Sequence, residues 1–186
     1  MAQQLNSVSL RKIKEEDLEG IWQMSCREAT PEWKKWDAPY FPHEVMSFEQ
    51  FKQEEASWYL SDKVRAICVD KQIIGIVSKV WIDANTRWLE VGIIIYPVNY
   101  WNHGYGTSAL RLWLDEVFST TEQLEHIGLT TLSGNIRMMK AAEKLGMTQE
   151  AVIRKVRFYN DTYYDSVKYG ILRDEWKEEI SHHTSL

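Results

Sequence analysis

The spacing of apolar and polar residues over the first 60 positions predicts a strand, a helix, a loop and a second helix. Residues 7–13 alternate apolar and polar side chains, which is typical of a strand. From Glu15 the apolar residues recur every three or four positions, as in an amphipathic helix with an acidic first turn. A loop with three prolines follows, and we expect residues 47–60 to form the second helix.

Three strands are predicted between residues 64 and 96. Residues 64–69 and 73–81 form an antiparallel hairpin around the turn Asp70-Lys71-Gln72. Residues 88–96 form the third strand. Its apolar run Ile93-Ile94-Ile95 is typical of a central strand that is buried on both faces.

The second half of the chain begins with a turn that carries two glycines, residues 101–107. The elements predicted after it are an amphipathic helix, a strand over 126–132, a helix over 136–145 capped by Gly146, strands over 149–159 and 162–172, and a polar tail over 174–186. The resulting order, β-α-α-β-β-β-α-β-α-β-β, packs helices against a mixed sheet, which is an α/β (α+β) fold.

Length and composition fit one domain over residues 1–186, with its core over about 7–173. The chain has 186 residues, of which 44% are hydrophobic. Its net charge of -5 argues against a general affinity for nucleic acids, which requires clustered Lys and Arg. An amine or another cation is easier to accommodate as a substrate.

Cysteines and histidines show no pattern typical of a disulfide framework or a metal site. Cys26 and Cys68 lie far apart, and we expect both to be reduced and buried. His182 and His183 in the tail lack spaced partners. The N-terminus has no signal-peptide pattern, and no apolar run reaches the roughly 20 residues that a membrane helix needs. We therefore expect a cytoplasmic protein with no metal and no membrane segment.

The turn with two glycines has the features of an anion site. A strand, a glycine turn and a helix together present unpaired N–H groups and a partial positive charge, so phosphate binds without a basic side chain. Gly104 and Gly106 can adopt positive φ and let a ligand approach the backbone. Taken alone, these residues are also typical of an ordinary tight turn. The pattern of a dinucleotide-binding fold and the lysine of a P-loop are both absent.

Three segments in the same order resemble the GCN5-related N-acetyltransferase (GNAT) superfamily. Residues 90–97 with 100–107 resemble its fourth strand and pyrophosphate turn, residues 135–147 its second cofactor motif, and residues 163–172 its final strand. The resemblance covers nearly the whole chain and is strongest to the group of the ribosomal-protein N-terminal acetyltransferases RimJ and RimL. It implies a mixed, mostly antiparallel sheet of about seven strands, flanked by about four helices and splayed between the fourth and fifth strands.

The resemblance also implies acetyl-CoA as the cosubstrate. By position, Ile94, Ile95 and Tyr96 would contact pantetheine. Asn135 would bond pantetheine or the backbone on the substrate side, and a plain helix N-cap is an equal and compatible alternative. The residues implied to bind the cofactor at the turn are Trp101, Asn102, His103, Gly104, Tyr105, Gly106 and Thr107. Trp101 replaces the Gln or Arg found in much of the superfamily, and we expect its ring to pack beneath the turn.

Acetyl transfer to an amine needs a base for the amine proton, donors for the oxyanion and an acid for the leaving thiolate. Glu90 stands where many relatives carry a carboxylate, which implies that it accepts the amine proton. Alternatively, Glu90 only pairs with a cation. Backbone N–H groups of the same strand would stabilise the oxyanion. The usual acids are absent, because Ala142 and Met138 stand where relatives carry Tyr and Ser. Water remains an alternative acid, as do the hydroxyls of Tyr159, Tyr163 and Ser133.

The acceptor is expected to bind near the aromatic residues Trp33, Trp36 and Tyr40, which alternatively seal the core. We therefore predict an N-acetyltransferase that transfers acetyl to a primary amine by direct attack in a ternary complex. The amine belongs to a small metabolite or a protein N-terminus. A CoA-binding regulatory protein with weakened chemistry is the alternative. The oligomeric state is left open by the sequence. Edge strands and exposed aromatics, which are typical of subunit interfaces, are compatible with a homodimer.

Overall fold

The structure, a computed structural model, describes residues 7–184 and the side-chain environments of residues 7–180. The predictions made for the extreme N-terminus and for the side chains of His182 and His183 lie outside these residues.

The elements follow the predicted order, except that the second predicted helix is divided into two and one further helix stands at the end. The strands are β1 (Val8–Arg11), β2 (Val64–Val69), β3 (Gln72–Asp83), β4 (Trp88–Ile95), β5 (His126–Leu132), β6 (Thr148–Tyr159) and β7 (Thr162–Leu172). The α-helices are α1 (Leu18–Ser25), α2 (Phe48–Glu54), α3 (Ala56–Tyr59), α4 (Tyr105–Thr120), α5 (Ile136–Lys144) and α6 (Arg173–Thr184). Short 3₁₀ turns occupy Glu15–Asp17, Glu32–Lys35 and Val98–Tyr100.

The seven strands form one mixed sheet in the order β1-β2-β3-β4-β5-β7-β6. The pair β4–β5 is parallel, with Leu89 and Glu90 opposite Ile127 and Gly128. The pairs β1–β2, β2–β3, β5–β7 and β6–β7 are antiparallel. The predicted fold class is therefore confirmed.

Two hairpin turns each contain two consecutive residues with positive φ. Asp70 and Lys71 between β2 and β3 have φ values of 48° and 69°, and Asn160 and Asp161 between β6 and β7 have values of 47° and 54°. Two consecutive residues with positive φ match the right-handed twist of the strands that they join.

The prediction of one helix over residues 47–60 is wrong. Ser47 and Gln50 form a capping box at the start of α2, and the helix is interrupted at Glu55, whose φ is −109°. Phe51 before the interruption and Tyr59 after it are both buried. Burial of both aromatic rings, rather than helical continuity, therefore determines the path of this segment.

Contacts within the chain group it into two compact units, each with its own buried residues. The first unit comprises residues 1–78 and 93–113, and the second comprises residues 79–92 and 114–186. The core of the first unit contains Ile13, Leu18, Ile21, Trp33, Phe51, Ala56, Tyr59, Val64, Ala66, Cys68, Ile76 and Tyr96. Buried residues of the second unit include Leu89, Leu114, Val117, Leu124, Ile127, Leu129, Ala142, Leu145, Val167 and Ile171.

The predicted polar tail is instead the helix α6. Trp176 is only 2% exposed, and its Nε1 donates a hydrogen bond of 2.8 Å to Asp115 on α4. The guanidinium of Arg173 donates to three carbonyl groups at and beyond the end of α4, those of Phe118, Thr121 and Leu124. These contacts satisfy carbonyls that a helix end leaves unpaired, so the tail belongs to the second unit.

Candidate active site

The turn with two glycines connects β4 to α4 within the first unit. Asn102 and Gly104 have positive φ values of 63° and 82°. The N–H of Ser108 donates to the carbonyl of Gly104 at 3.0 Å, which starts the helix. The amides of the first turn of α4 precede the intrahelical ladder and are the groups that bind anions at helix N-termini.

Gly104 and Gly106 play different roles in this turn. The prediction that both can use positive φ applies only to Gly104, because Gly106 lies inside the helix. A Cβ added to Gly106 would stand 3.6 Å from Cδ1 of Ile95 and 3.8 Å from Cδ1 of Ile93, which are ordinary contacts. The second left-handed residue is Asn102, a residue type that tolerates this region.

Trp101 anchors the turn to the end of β4. Its Nε1 donates a 2.8 Å hydrogen bond to the carbonyl of Ile95, and its half-buried ring packs against the core of the first unit. The rings of His103 and Tyr105 lie 6.1 Å apart. The turn is thus held by a side-chain bond as well as by its backbone.

The three residues predicted to contact pantetheine differ in exposure. Ile94 and Ile95 are half-buried, so the expectation that this run is buried on both faces is wrong, and part of their surface is available to a ligand. Tyr96 is 5% exposed, and its N–H donates to the carbonyl of Ile74 at 3.0 Å. Its side chain belongs to the core.

Gly75 on β3 is a residue that the sequence reasoning missed. A Cβ at this position would collide with the carbonyl oxygen of Ile94 and would lie 2.9 Å from the Cα of Ile95. Glycine therefore allows the backbone of β3 to approach the end of β4 closely. A glycine inside a strand pattern is the sequence signal for such an approach.

Trp33 lies in the aromatic core of the first unit rather than in an open cleft. Its ring is 9% exposed and meets the ring of Tyr96 edge-on at 5.5 Å. The hydroxyls of Tyr96 and Tyr59 are 3.3 Å apart. Burial raises the pKa of Tyr59 to about 12 and raises that of Tyr96 well above its ordinary value.

Trp36 and Tyr40, the other two predicted acceptor residues, are half-buried. The ring of Tyr40 lies 4.9 Å from that of Phe41, which is largely exposed. Asp37, which lies between Trp36 and Tyr40 in the sequence, is half-buried. Burial raises the pKa of its carboxyl, and the charge of Lys34 partly offsets this effect. This segment presents aromatic and acidic groups together.

Glu90 lies in the second unit, where Lys168 and Thr130 are its neighbours. The ammonium of Lys168 donates to Oε1 of Glu90 and to Oγ1 of Thr130, each at 2.9 Å. Only 12% of the Glu90 side chain and 29% of the Lys168 side chain are exposed. Strand register explains the meeting, because Glu90 pairs with Gly128 and Thr130 pairs with Lys168, so all three side chains share one face.

Small and aromatic residues surround the Glu90–Lys168 pair. A Cβ at Gly128 would lie 3.2 Å from Cγ of Glu90 and 3.3 Å from Cε1 of His126, so glycine leaves room for both. Nε2 of His126 in turn lies 2.9 Å from Oε1 of Glu150. The ammonium of Lys168 stands 5.4 Å from the ring centre of Trp88, within the range of a cation–π interaction.

Asn135 caps α5 in the second unit. Its Oδ1 accepts a hydrogen bond of 3.2 Å from the N–H of Met138, so the N-cap role is present. Ala142, at the usual position of the acid, is fully buried. Oγ of Ser133 accepts from the N–H of Asp165 at 3.0 Å.

The other two hydroxyls considered as acids lie near the β6–β7 turn. The ring of Tyr163 is 61% exposed and stacks on Phe158 at 4.8 Å, and Tyr159 is half-buried.

Among residues 7–180, no three His, Cys, Asp or Glu side chains converge as a metal site would require. Cys26 and Cys68 are free thiols; Cys68 is buried and Cys26 half-buried, and burial raises the pKa of each. No helix in the described part of the chain is long and apolar enough to cross a membrane.

Comparison with known proteins identifies a family. A model of the acetyltransferase (GNAT) domain matches residues 7–148. The SPbeta prophage-derived uncharacterized N-acetyltransferase YokL of Bacillus subtilis is 24% identical over 148 residues, which are 78% of this chain and 80% of that protein.

Solved structures share the fold at low identity. A GNAT-family acetyltransferase from Bacillus anthracis superposes with a TM-score of 0.72 and 20% identity, covering 90% of this chain and 95% of that one. Spermidine N-acetyltransferase from Vibrio cholerae, in complex with CoA and spermine, gives a TM-score of 0.73 and 21% identity over 91% of this chain and 98% of that one.

Proposed function

Because the chain belongs to the GNAT family and is therefore an acetyl-CoA-dependent N-acetyltransferase, we propose that its acceptor is a primary amine on a small metabolite or a protein N-terminus. The observation that carries the proposal is Glu90, a largely buried carboxylate on the same strand as the residues proposed to contact pantetheine. The net charge of -5 also favours a cationic acceptor.

The proposed donor site uses the backbone of the turn between β4 and α4. The positive φ of Asn102 and Gly104 turns the chain just before the helix, so the amides of Tyr105, Gly106 and Thr107 lie at its N-terminus. This donor set fits a pyrophosphate, because it supplies N–H groups and the positive end of the helix dipole. Ile94 and Ile95 offer partly exposed apolar surface for pantetheine.

In the proposed reaction the neutral amine nitrogen attacks the thioester carbonyl carbon directly. A C–N bond forms, the C–S bond breaks, and the nitrogen proton passes to Glu90, either directly or through a water molecule. The CoA thiolate takes up a proton as it leaves. Backbone N–H groups of β4 would stabilise the oxyanion.

Of the three candidate hydroxyls, we propose Ser133 as the group that protonates the thiolate. Its oxygen already accepts a hydrogen bond from Asp165, which leaves its own proton to donate. Tyr163, in contrast, is stacked on Phe158 and largely exposed. If Ser133 is the acid, Ser133→Ala lowers kcat, whereas an unchanged kcat would point to water.

For recognition of the acceptor we propose Trp36 and Tyr40 together with Asp37. An aromatic face and a half-buried carboxylate are the groups that bind an ammonium ion. Trp33 takes a supporting role in this proposal, because its ring lies in the core. The cytoplasmic location and the homodimer remain predictions from the sequence.

The alternative, a CoA-binding regulatory protein, is separated from the enzyme by one experiment. The wild-type protein is mixed with acetyl-CoA and a panel of primary amines that includes polyamines, amino-sugar compounds and short peptides with free N-termini. We expect release of CoA thiol above background, with an acetylated product of matching mass. Saturable binding of acetyl-CoA in calorimetry without thiol release for any amine would support the regulatory alternative.

A further inference from the structure

We propose that Lys168 is a positioning residue for the reaction, which holds Oε1 of Glu90 so that Oε2 is the oxygen that accepts the amine proton. The inference rests on the proposed function of Glu90. It concerns a residue of β7 that is 78 positions distant in sequence.

The geometry supports an oriented carboxylate rather than a loose surface pair. Lys168 donates to both Glu90 and Thr130 at 2.9 Å, so two acceptors fix the direction of its ammonium. Among the described residues Oε2 of Glu90 has no hydrogen-bond partner. One oxygen is therefore fixed, and the other is left for a substrate or a water molecule.

Burial gives this pair more effect than an exposed one. The side chain of Glu90 is 12% exposed, and an ion pair that is shielded from water is screened less by solvent and salt. Lys177 and Asp174 on α6 form a pair of the same length, 2.9 Å, but their side chains are 65% and 85% exposed. Such exposed pairs contribute little, so this second pair is a matched control.

Lys168 also has a chemical role in the proposed step. Its ammonium occupies Oε1 of Glu90, so in the proposed step the arriving proton is accepted at Oε2. Titratable groups near this pair include His126 on β5 and its partner Glu150 on β6.

The test compares the wild type with Lys168→Met, Lys168→Arg, Thr130→Val and the control Lys177→Met. Thermal melts first identify the variants that fold. The kcat and KM values for the amine and for acetyl-CoA are then measured across the pH range in which each folded variant is stable, with one acceptor from the panel. Glu90→Gln and the double variant Glu90→Gln/Lys168→Met complete the set.

We expect Lys168→Met to lower kcat by about 10-fold to 100-fold, with a nearly unchanged KM for acetyl-CoA. Lys168→Arg should restore most of the rate, Thr130→Val should lower kcat by a smaller factor, and Lys177→Met should match the wild type. The double variant should be no slower than Glu90→Gln alone, because the two residues act as one unit.

The two proposals fail in different ways. A Lys168→Met protein with an unchanged kcat, a lost rate that Lys168→Arg does not restore, or a loss that adds in full to that of Glu90→Gln would overturn the positioning role. If Lys168→Met does not fold, an unchanged kcat in Thr130→Val would do the same. A Glu90→Gln protein with the wild-type rate would instead remove Glu90 from the mechanism.

Discussion

The buried hydroxyls of Tyr59 and Tyr96 lie in the core beneath the proposed pantetheine strand. Removing one of them should cost more stability than removing the other. The two oxygens are 3.3 Å apart. For the hydroxyl of Tyr96 this is the one hydrogen bond shown among the described residues, whereas the hydroxyl of Ser25 also acts on the hydroxyl of Tyr59. Removing one hydroxyl therefore does not have the same consequence as removing the other.

Tyr59→Phe leaves the hydroxyl of Tyr96 buried without a partner, which costs about 1–3 kcal/mol. Because 3.3 Å is long for an O–H···O bond, we expect the lower part of that range, about 1–2 kcal/mol. Tyr96→Phe leaves Tyr59 with Ser25, so its cost should be about 0.5–1 kcal/mol. The double variant should lose less than the sum of the two single losses.

Urea unfolding followed by tryptophan fluorescence measures these free energies. A Tyr96→Phe protein that loses as much stability as Tyr59→Phe, or two losses that add in full, would refute the reasoning. The pH dependence is a second test. The folded pKa of Tyr59 is raised to about 12, above the ordinary value of about 10. Its contribution is therefore fully present below about pH 10 and is lost as the pH rises toward 12.

Three further outcomes are expected. Gly75→Ala should lower the free energy of unfolding by about 2–3 kcal/mol, because its Cβ meets the backbone of β4; an unchanged urea midpoint would contradict the close approach. Asp17 accepts two hydrogen bonds from Arg11 at 2.6 and 2.7 Å, which lower its pKa. The stability advantage of the wild type over Asp17→Asn should therefore be present above about pH 4 and disappear on further acidification, and a pH-independent difference would argue against it. Gly104→Ala should cost about 1–2 kcal/mol because of the positive φ of this residue, whereas Gly106→Ala, inside the helix, should not lower the free energy of unfolding; equal losses would contradict the different roles of the two glycines.

Local patterns in the sequence predicted most of the fold. The bounds of β5 and β7 agree with the predictions, because their apolar runs are flanked by clear turns. The prediction of a polar tail after β7 was wrong because Trp176, the one buried residue among residues 173–180, stands among charged residues, and its partner Asp115 lies 61 positions earlier. No local pattern reveals such a partner, although an acidic first turn followed by Trp is a weak helix signal.

The same limit applies to the candidate site. The turn and Glu90 were predicted from motifs. Lys168 was not, because its approach to Glu90 depends on the order of the strands in the sheet, in which β5 lies between β4 and β7. For Trp33 the sequence left two roles open, lining the acceptor site or sealing the core. The contact of its ring with Tyr96 places it in the core. Register and burial depend on the whole fold, which a single sequence does not specify residue by residue.

The central claim is that the chain transfers acetyl from acetyl-CoA to an amine with Glu90 as the proton acceptor. A single-turnover experiment tests it most directly. Wild-type and Glu90→Gln proteins, both saturated with acetyl-CoA, are mixed with the best amine of the panel, and the affinity for acetyl-CoA is measured beside it by calorimetry. We expect the rate of transfer to fall by about 10²-fold to 10⁴-fold while the Kd for acetyl-CoA stays nearly the same. Equal rates in the two proteins would contradict the account.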